Sequence, residues 1–129
     1  MIIDTDVLIW YLRGDKNAFT AINECTDFNI SAITYMELVQ GMRSKKELYE
    51  LRKAFHVWNT NILYVSEEIS TQAMFWVEQF FLSHSVEIAD ALIGATALVH
   101  GQTILTANVK HYKPFKNLQI KPFKSCFQR

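Results

Sequence analysis

A chain of 129 residues is long enough for one domain with a substantial core and too short for two ordinary ones. Half of its residues are hydrophobic, yet no run approaches the roughly 18 uncharged residues of a membrane span, and no basic segment precedes an apolar one in the manner of a secretory leader. The expectation is a soluble, cytoplasmic protein folded as a single domain over residues 1–129, with its cysteines reduced.

The formal charge is zero but segregated. No acid follows Asp90, whereas Lys110, Lys113, Lys116, Lys121, Lys124 and Arg129 all lie beyond it. Such a segment can collect phosphates, because releasing counterions from a polyanion favours Lys and Arg contacts whatever the sequence bound; a plain solvated surface is the competing explanation.

From the amino terminus, Ile2-Ile3 predicts a short apolar strand, and Thr5 or Asp6 stands where an N-cap would start a helix carrying Val7, Leu8, Tyr11 and Leu12, stopped by Gly14. Ala18, Ile22 and Cys25 recur at helical spacing, and Phe28-Asn29-Ile30-Ser31 alternates like a strand. Thr34 is the expected start of the next helix. Ser44-Lys45-Lys46-Glu47 has the form of a capping box, ahead of a stripe of Leu48, Leu51, Phe55 and Trp58.

Ile62-Leu63-Tyr64-Val65 predicts a third strand and Ser66 a cap, with Ile69, Ala73, Trp76, Val77 and Phe80 as the inner face of a helix; Phe75 and Phe81 are also expected to pack internally. The helix after Asp90 is apolar nearly all round, so other elements must enclose it, and its Ala91, Gly94, Ala95 and Ala97 permit close packing. Thr103-Ile104-Leu105-Thr106 is the fourth expected strand, Ala107 to Asn117 a basic loop, and Leu118-Gln119-Ile120 the last strand. Strands alternating with helices imply a parallel sheet covered on both faces, with ligands gathering beyond the carboxyl ends of the strands where their order reverses. Asp4 and Asn108 both follow strands closely.

Chemistry concentrates in the acids. Asp4 ends one apolar run and Asp90 begins another, and a carboxylate beside so much hydrocarbon needs a compensating cation or donors. With Glu37 between them in sequence, the three suggest a magnesium or manganese site, since hard cations take oxygen ligands. A cation held there would activate water for phosphodiester hydrolysis, with the basic segment gripping the nucleic-acid backbone. Each acid has a structural alternative: Asp4 as a turn residue, Asp6 as a first-turn acid, Glu37 as the return arm of a capping box from Thr34, Asp90 as a helix-start acid. The four histidines show no metal or hydrolase spacing, although His111 lies close to Asn108, and there is no nucleophile elbow or glycine-rich phosphate loop.

Four segments occur in a telling order: Ile2-Ile3-Asp4-Thr5-Asp6-Val7-Leu8-Ile9, Ser31-Ala32-Ile33-Thr34-Tyr35-Met36-Glu37-Leu38, Ile88-Ala89-Asp90-Ala91-Leu92-Ile93-Gly94-Ala95-Thr96-Ala97 and Leu105-Thr106-Ala107-Asn108-Val109-Lys110-His111-Tyr112. Together they resemble the signatures of PIN-domain ribonucleases of the VapC toxin type, from Ile2 to about Ile120. The resemblance implies a three-layer α/β sandwich with a central, mostly parallel sheet of four to five strands, and a magnesium- or manganese-dependent endoribonuclease whose acids are Asp4, Glu37 and Asp90. It further implies Thr5, Thr34 and Thr106 lining the crevice, a homodimer, and a small antitoxin partner, for which Trp10, Tyr11, Tyr49, Phe75 and Trp76 offer apolar surface. The chain departs from the pattern in its fourth segment, where many members carry a further Asp and this one has neutral Asn108, with His111 three residues on; Asn108 stays a catalytic candidate, able to orient a water or bind a metal through its carbonyl oxygen.

Two other readings compete. Asp4-Thr5-Asp6 after an apolar strand is similar to the opening of haloacid-dehalogenase-type phosphatases, with Asp4 as nucleophile and Asp6 as acid–base, although no later acidic pair exists to complete that site. Alternatively, the missing fourth acid leaves an RNA- or antitoxin-binding module with weak catalysis.

Overall fold

A computed structural model describes residues 1–127 of the chain; Arg129 of the basic segment lies outside them. The elements run β1 (Ile2–Ile3), α1 (Thr5–Leu12), α2 (Lys16–Glu24), β2 (Asn29–Ser31), α3 (Ala32–Gln40), α4 (Lys45–Val57), β3 (Asn61–Leu63), α5 (Glu67–Phe80), α6 (Ile88–Val99), β4 (Ile104–Thr106), α7 (Val109–Tyr112) and β5 (Ile120–Pro122). Every strand pair is parallel, and the order across the sheet is β3-β2-β1-β4-β5. The chain thus builds outward from β1 through β2 to β3, then returns to lay β4 on the other side of β1. That reversal opens a crevice beyond the carboxyl ends of β1 and β4.

Two residues of β1 show why the sheet is covered on both faces. Ile2 and Ile3 are neighbours in a strand and point to opposite sides, and both are fully buried. Ile3 packs with Val7, Leu8, Ile22, Leu38 and Leu51 from α1 to α4, while Ile2 packs with Ile69, Trp76, Ile93, Tyr112 and Phe115 from α5 to α7 and the turn after it. The result is the three-layer sandwich with a five-stranded, all-parallel sheet. Among the described residues no helix is long and apolar enough to cross a membrane.

Helix α6 is enclosed as its composition requires, with Ala91 and every residue from Ile93 to Ala97 buried. Gly94 is needed there for space: a Cβ would lie 3.2 Å from Phe115, 3.3 Å from Tyr112 and 3.4 Å from Trp76. The Ser44 cap forms as expected, its Oγ accepting the Glu47 N–H at 3.2 Å while the Glu47 carboxylate accepts the Arg43 N–H at 2.7 Å. Asp15 caps α2 and also ties the C-terminal segment down, accepting from the Ser125 hydroxyl and the Cys126 N–H.

Several boundaries differ from expectation. Helix α3 starts at Ala32, not Thr34, because Ser31 leaves β2 extended and caps the helix itself, its Oγ accepting the Ile33 N–H at 3.1 Å. Helix α1 is capped by Asp4 rather than by Thr5 or Asp6. The expected basic loop contains α7, and the last strand is displaced two residues to Ile120–Pro122, where its backbone pairs with β4. Phe75 and Phe81 are exposed rather than packed; of the residues expected to offer apolar surface, Tyr49 is exposed, Trp76 is buried, and Trp10 is half-buried against Phe127 and Arg13.

Candidate active site

Asp4 is delivered by the end of β1 into the crevice and is 3% exposed. One carboxylate oxygen accepts the Thr5 N–H at 2.8 Å, and the other accepts the Thr106 hydroxyl at 2.7 Å from the end of β4. Thr106 in turn accepts the Asn108 N–H at 2.9 Å, fixing the turn that follows the strand. The two oxygens of Asp4 are therefore oriented from the start of α1 and from the end of β4.

From α1, the Thr5 hydroxyl lies 2.7 Å from a Glu37 carboxylate oxygen and 2.9 Å from the Thr34 hydroxyl. A hydroxyl has a single proton, so Thr5 donates to Glu37 and accepts from Thr34. Starting α3 at Ala32 is what turns Thr34 and Glu37, about one helical turn apart, toward α1. Glu37 does not fold back onto its own helix start; it reaches a neighbouring helix.

Asp6 sits in the first turn of α1 but does not simply decorate it. Its Oδ2 accepts the Ala107 N–H at 2.9 Å, bridging α1 to the turn after β4, and its Oδ1 is buried without a hydrogen-bond donor. Asp90, in the first turn of α6, is held from α7: His111 Nδ1 lies 2.9 Å from Oδ2, and the Tyr112 hydroxyl donates to Oδ1 at 3.4 Å.

These acids burden one another. Burial, then the neighbouring Asp6 charge, pushes the Asp4 carboxyl up to about 7, against the pull of the Thr106 and Thr5 hydrogen bonds, and Asp90 adds a further push. Burial raises Asp6 despite the Ala107 N–H, and raises Asp90 despite the His111 contact. Tyr112 is driven far above its ordinary range by burial and by Asp4 and Asp90, so its hydroxyl keeps its proton and serves as a fixed donor at the floor of the cluster.

Asp4, Asp6 and Asp90 thus share one electrostatic neighbourhood, with Glu37 linked to it through Thr5. Among the described residues, His111 is the basic residue that salt-bridge geometry places against these acids. Among the same residues, no three His, Cys, Asp or Glu side chains are already gathered as a formed metal site. The reason is local: Glu37 is engaged by Thr5, and Asp90 by His111 and Tyr112, so donors stand between the acids. The chemistry of the set still suits a hard cation, because its oxygens are carboxylates, one of them is buried without a well-formed donor, and Asp4 is pushed up by burial first and by the Asp6 and Asp90 charges after it.

Asn108 occupies a different position. It is exposed, begins α7 without a side-chain cap bond, and joins the site through its backbone. Lys110 and Lys113 are exposed on and just after α7. Tyr112 escaped sequence reasoning, since an isolated Tyr in a basic stretch carries no motif; its one signal was its place beside His111.

The sequence matches the PIN domain over residues 1–116. The chain belongs to the PIN-domain family. It is 32% identical over 125 residues to Ribonuclease VapC19 from Mycobacterium tuberculosis, covering 92% of this chain and 96% of that protein. It is 30% identical over 128 residues to Ribonuclease VapC10 from the same organism, covering 95% and 91%. A toxin–antitoxin complex from Klebsiella pneumoniae contains a chain that superposes with a TM-score of 0.75 at 27% identity, covering 95% of this chain and 98% of that one. The PIN-domain protein described here is therefore of the VapC kind, which sets aside the dehalogenase-like reading.

Proposed function

We propose that this PIN-domain protein is a cytoplasmic endoribonuclease, the toxin of a toxin–antitoxin pair, which hydrolyses RNA phosphodiester bonds with a magnesium or manganese ion, and that residues 1–129 fold as a single domain. The observation that carries this reading is the convergence on Asp4: a buried carboxylate raised to about 7 in a crevice it shares with Asp6 and Asp90, with Glu37 joined to the same crevice through Thr5. Such a pocket is stabilised by a cation, and its VapC relatives are named ribonucleases.

Asp4, Asp90 and Glu37 would hold the cation, which when bound supplies a Lewis acid for phosphate charge and for the attacking water. The protein's own groups do the positioning. Thr106 and the Thr5 N–H set the direction of both Asp4 oxygens. Thr5 and Thr34 order Glu37, and Tyr112 aligns Asp90. His111, beside Asp90 and partly open to solvent, is an imidazole placed where it could pass a proton to the leaving oxygen. Lys110 and Lys113 hold the RNA backbone by charge, reading little sequence.

The antitoxin's place is suggested by a groove between α1, α3 and α4, floored by Leu8, Leu38, Leu51 and Trp58 and ending at Glu37. A segment lying there would reach Glu37, and the related Klebsiella structure is a toxin–antitoxin complex. A homodimer accords with the exposed Met74, Phe75 and Phe81 on and after α5. A second reading, a binding module with weak catalysis, is favoured by the engagement of both Asp90 oxygens by α7. Cleavage mapping on purified RNA, with and without magnesium or manganese and with Asp4→Asn as control, separates the two: metal-dependent cuts absent from the variant support the nuclease, and an inert unaltered protein supports the module.

A further inference from the structure

The fourth segment carries neutral Asn108, and the structure leaves that side chain exposed and without a cap bond. From the opposite wall of the crevice, Asp6 reaches the same turn. Its Oδ2 accepts the Ala107 N–H at 2.9 Å, and that contact accounts for half of the carboxylate. The other oxygen, Oδ1, is buried without a donor at hydrogen-bond geometry; its neighbours are the Asp4 carboxyl, two residues back in sequence, and the Val7 and Asn108 N–H groups. An asparagine would clamp Ala107 equally well through its amide oxygen, so the clamp explains the length and acceptor of this side chain but not its charge. Two neighbouring carboxyls, one with a buried oxygen that has no well-formed donor, are costly when both are ionised; a proton on Asp4 relieves that in the metal-free protein, and a hard cation is the partner that relieves it with both ionised.

Resting on the metal-dependent reading above, we propose that Asp6 is a further cation-facing carboxylate of the site, supplied by α1 in place of the acid that Asn108 does not provide. The site then has four carboxylates, Asp4, Asp6, Glu37 and Asp90, and the neutral fourth segment costs it no net charge. Asp6 would face the cation from the α1 side while its other oxygen keeps the turn after β4 closed over the crevice.

Mn²⁺ titration by calorimetry of the full chain, alongside Asp4→Asn, Asp6→Asn, Asn108→Asp and the Asp6→Asn/Asn108→Asp double variant, decides this without reference to cleavage. Asp6→Asn is expected to weaken Mn²⁺ binding about 10–100-fold, the range typical when a carboxylate supporting a metal is removed. Asn108→Asp should neither restore the affinity in that background nor raise it in the unaltered one, since the side chain at 108 is exposed and meets the site through its backbone. An Asp6→Asn protein that binds Mn²⁺ within about twofold of the unaltered chain, while Asp4→Asn does not bind, overturns the assignment of Asp6 and leaves the reading of Asp4 intact. If Asp6→Asn does not fold, Asp6→Ser takes its place with the same two outcomes, and a large gain in affinity in Asn108→Asp would mean that the 108 side chain, not Asp6, faces the cation. Absence of Mn²⁺ binding by the unaltered chain overturns both readings together.

Discussion

Thr106 and Asp4, 102 positions apart in sequence, are joined by a 2.7 Å hydrogen bond across the seam between β4 and β1. The hydroxyl also accepts the Asn108 N–H, so one side chain orients the central carboxylate and closes the turn beyond it. Thr106→Val keeps the volume and removes both bonds. Because the donor favours the ionised form of Asp4, the loss should be larger at pH 8 than at pH 5, on the order of 1–3 kcal/mol at the higher pH. Urea unfolding at the two pH values checks this; equal losses would mean that the bond does not discriminate the charged form.

The metal-free protein should lose stability as pH rises. Asp4 has a folded pKa of about 7 against an ordinary value of 3.8, so the folded state binds more protons between those limits, and the slope of stability with pH is negative there. Asp6 and Asp90 are raised as well and add to the same fall. Thermal unfolding in chelator from pH 5 to pH 8 should show a declining midpoint, flattened in Asp4→Asn. That variant should be the more stable protein at pH 8 by about 1–3 kcal/mol, while losing RNA cleavage. A midpoint that climbs over this interval would contradict the assigned shifts.

Gly94→Ala tests the packing that places Tyr112. The added methyl would press on Phe115 and Tyr112 at 3.2 and 3.3 Å, both of them buried rings, and Phe115 is also stacked on Trp76 with centroids 4.2 Å apart. Overpacking of this kind costs about 1–3 kcal/mol. Calorimetric unfolding should show the destabilisation, and a change in Asp90 environment by NMR should accompany it, since Tyr112 touches that carboxylate. An unaltered melting point would show that α6 and α7 separate without cost.

Much of this arrangement was readable in the residues because it follows from local periodicity. Alternating apolar strands and capped amphipathic helices announced the parallel sheet, and Asp4 at the end of Ile2-Ile3 announced the crevice. The misreadings share a cause, which is competition between equivalent local signals settled at long range. Ser31 and Thr34 are both good helix caps, and β2 pairing with β3 through Ser31 decides for Ser31, which frees Thr34 and Glu37 to meet Thr5. Asp6 reads as a routine first-turn acid until β4 returns beside β1 and offers it the Ala107 N–H. Tyr112 is invisible as chemistry until α7 packs on α6 and lays the phenol between Asp4 and Asp90.

Lys110→Ala with Lys113→Ala should weaken binding to single-stranded RNA and reduce its salt dependence, by roughly 0.7 in the logarithmic slope for each phosphate no longer neutralised. Filter binding at several salt concentrations measures the slope. A parallel line with unchanged slope would place the RNA on another surface.

The central claim is that a cation answers the negative charge gathered at Asp4. Calorimetric titration of metal-stripped protein with Mn²⁺ at pH 6 and pH 8, repeated in two buffers of different ionisation enthalpy, tests it most directly. The expected result is tighter binding at pH 8 and net proton release at pH 6, both lost in Asp4→Asn; binding that is independent of pH and survives in that variant would contradict it.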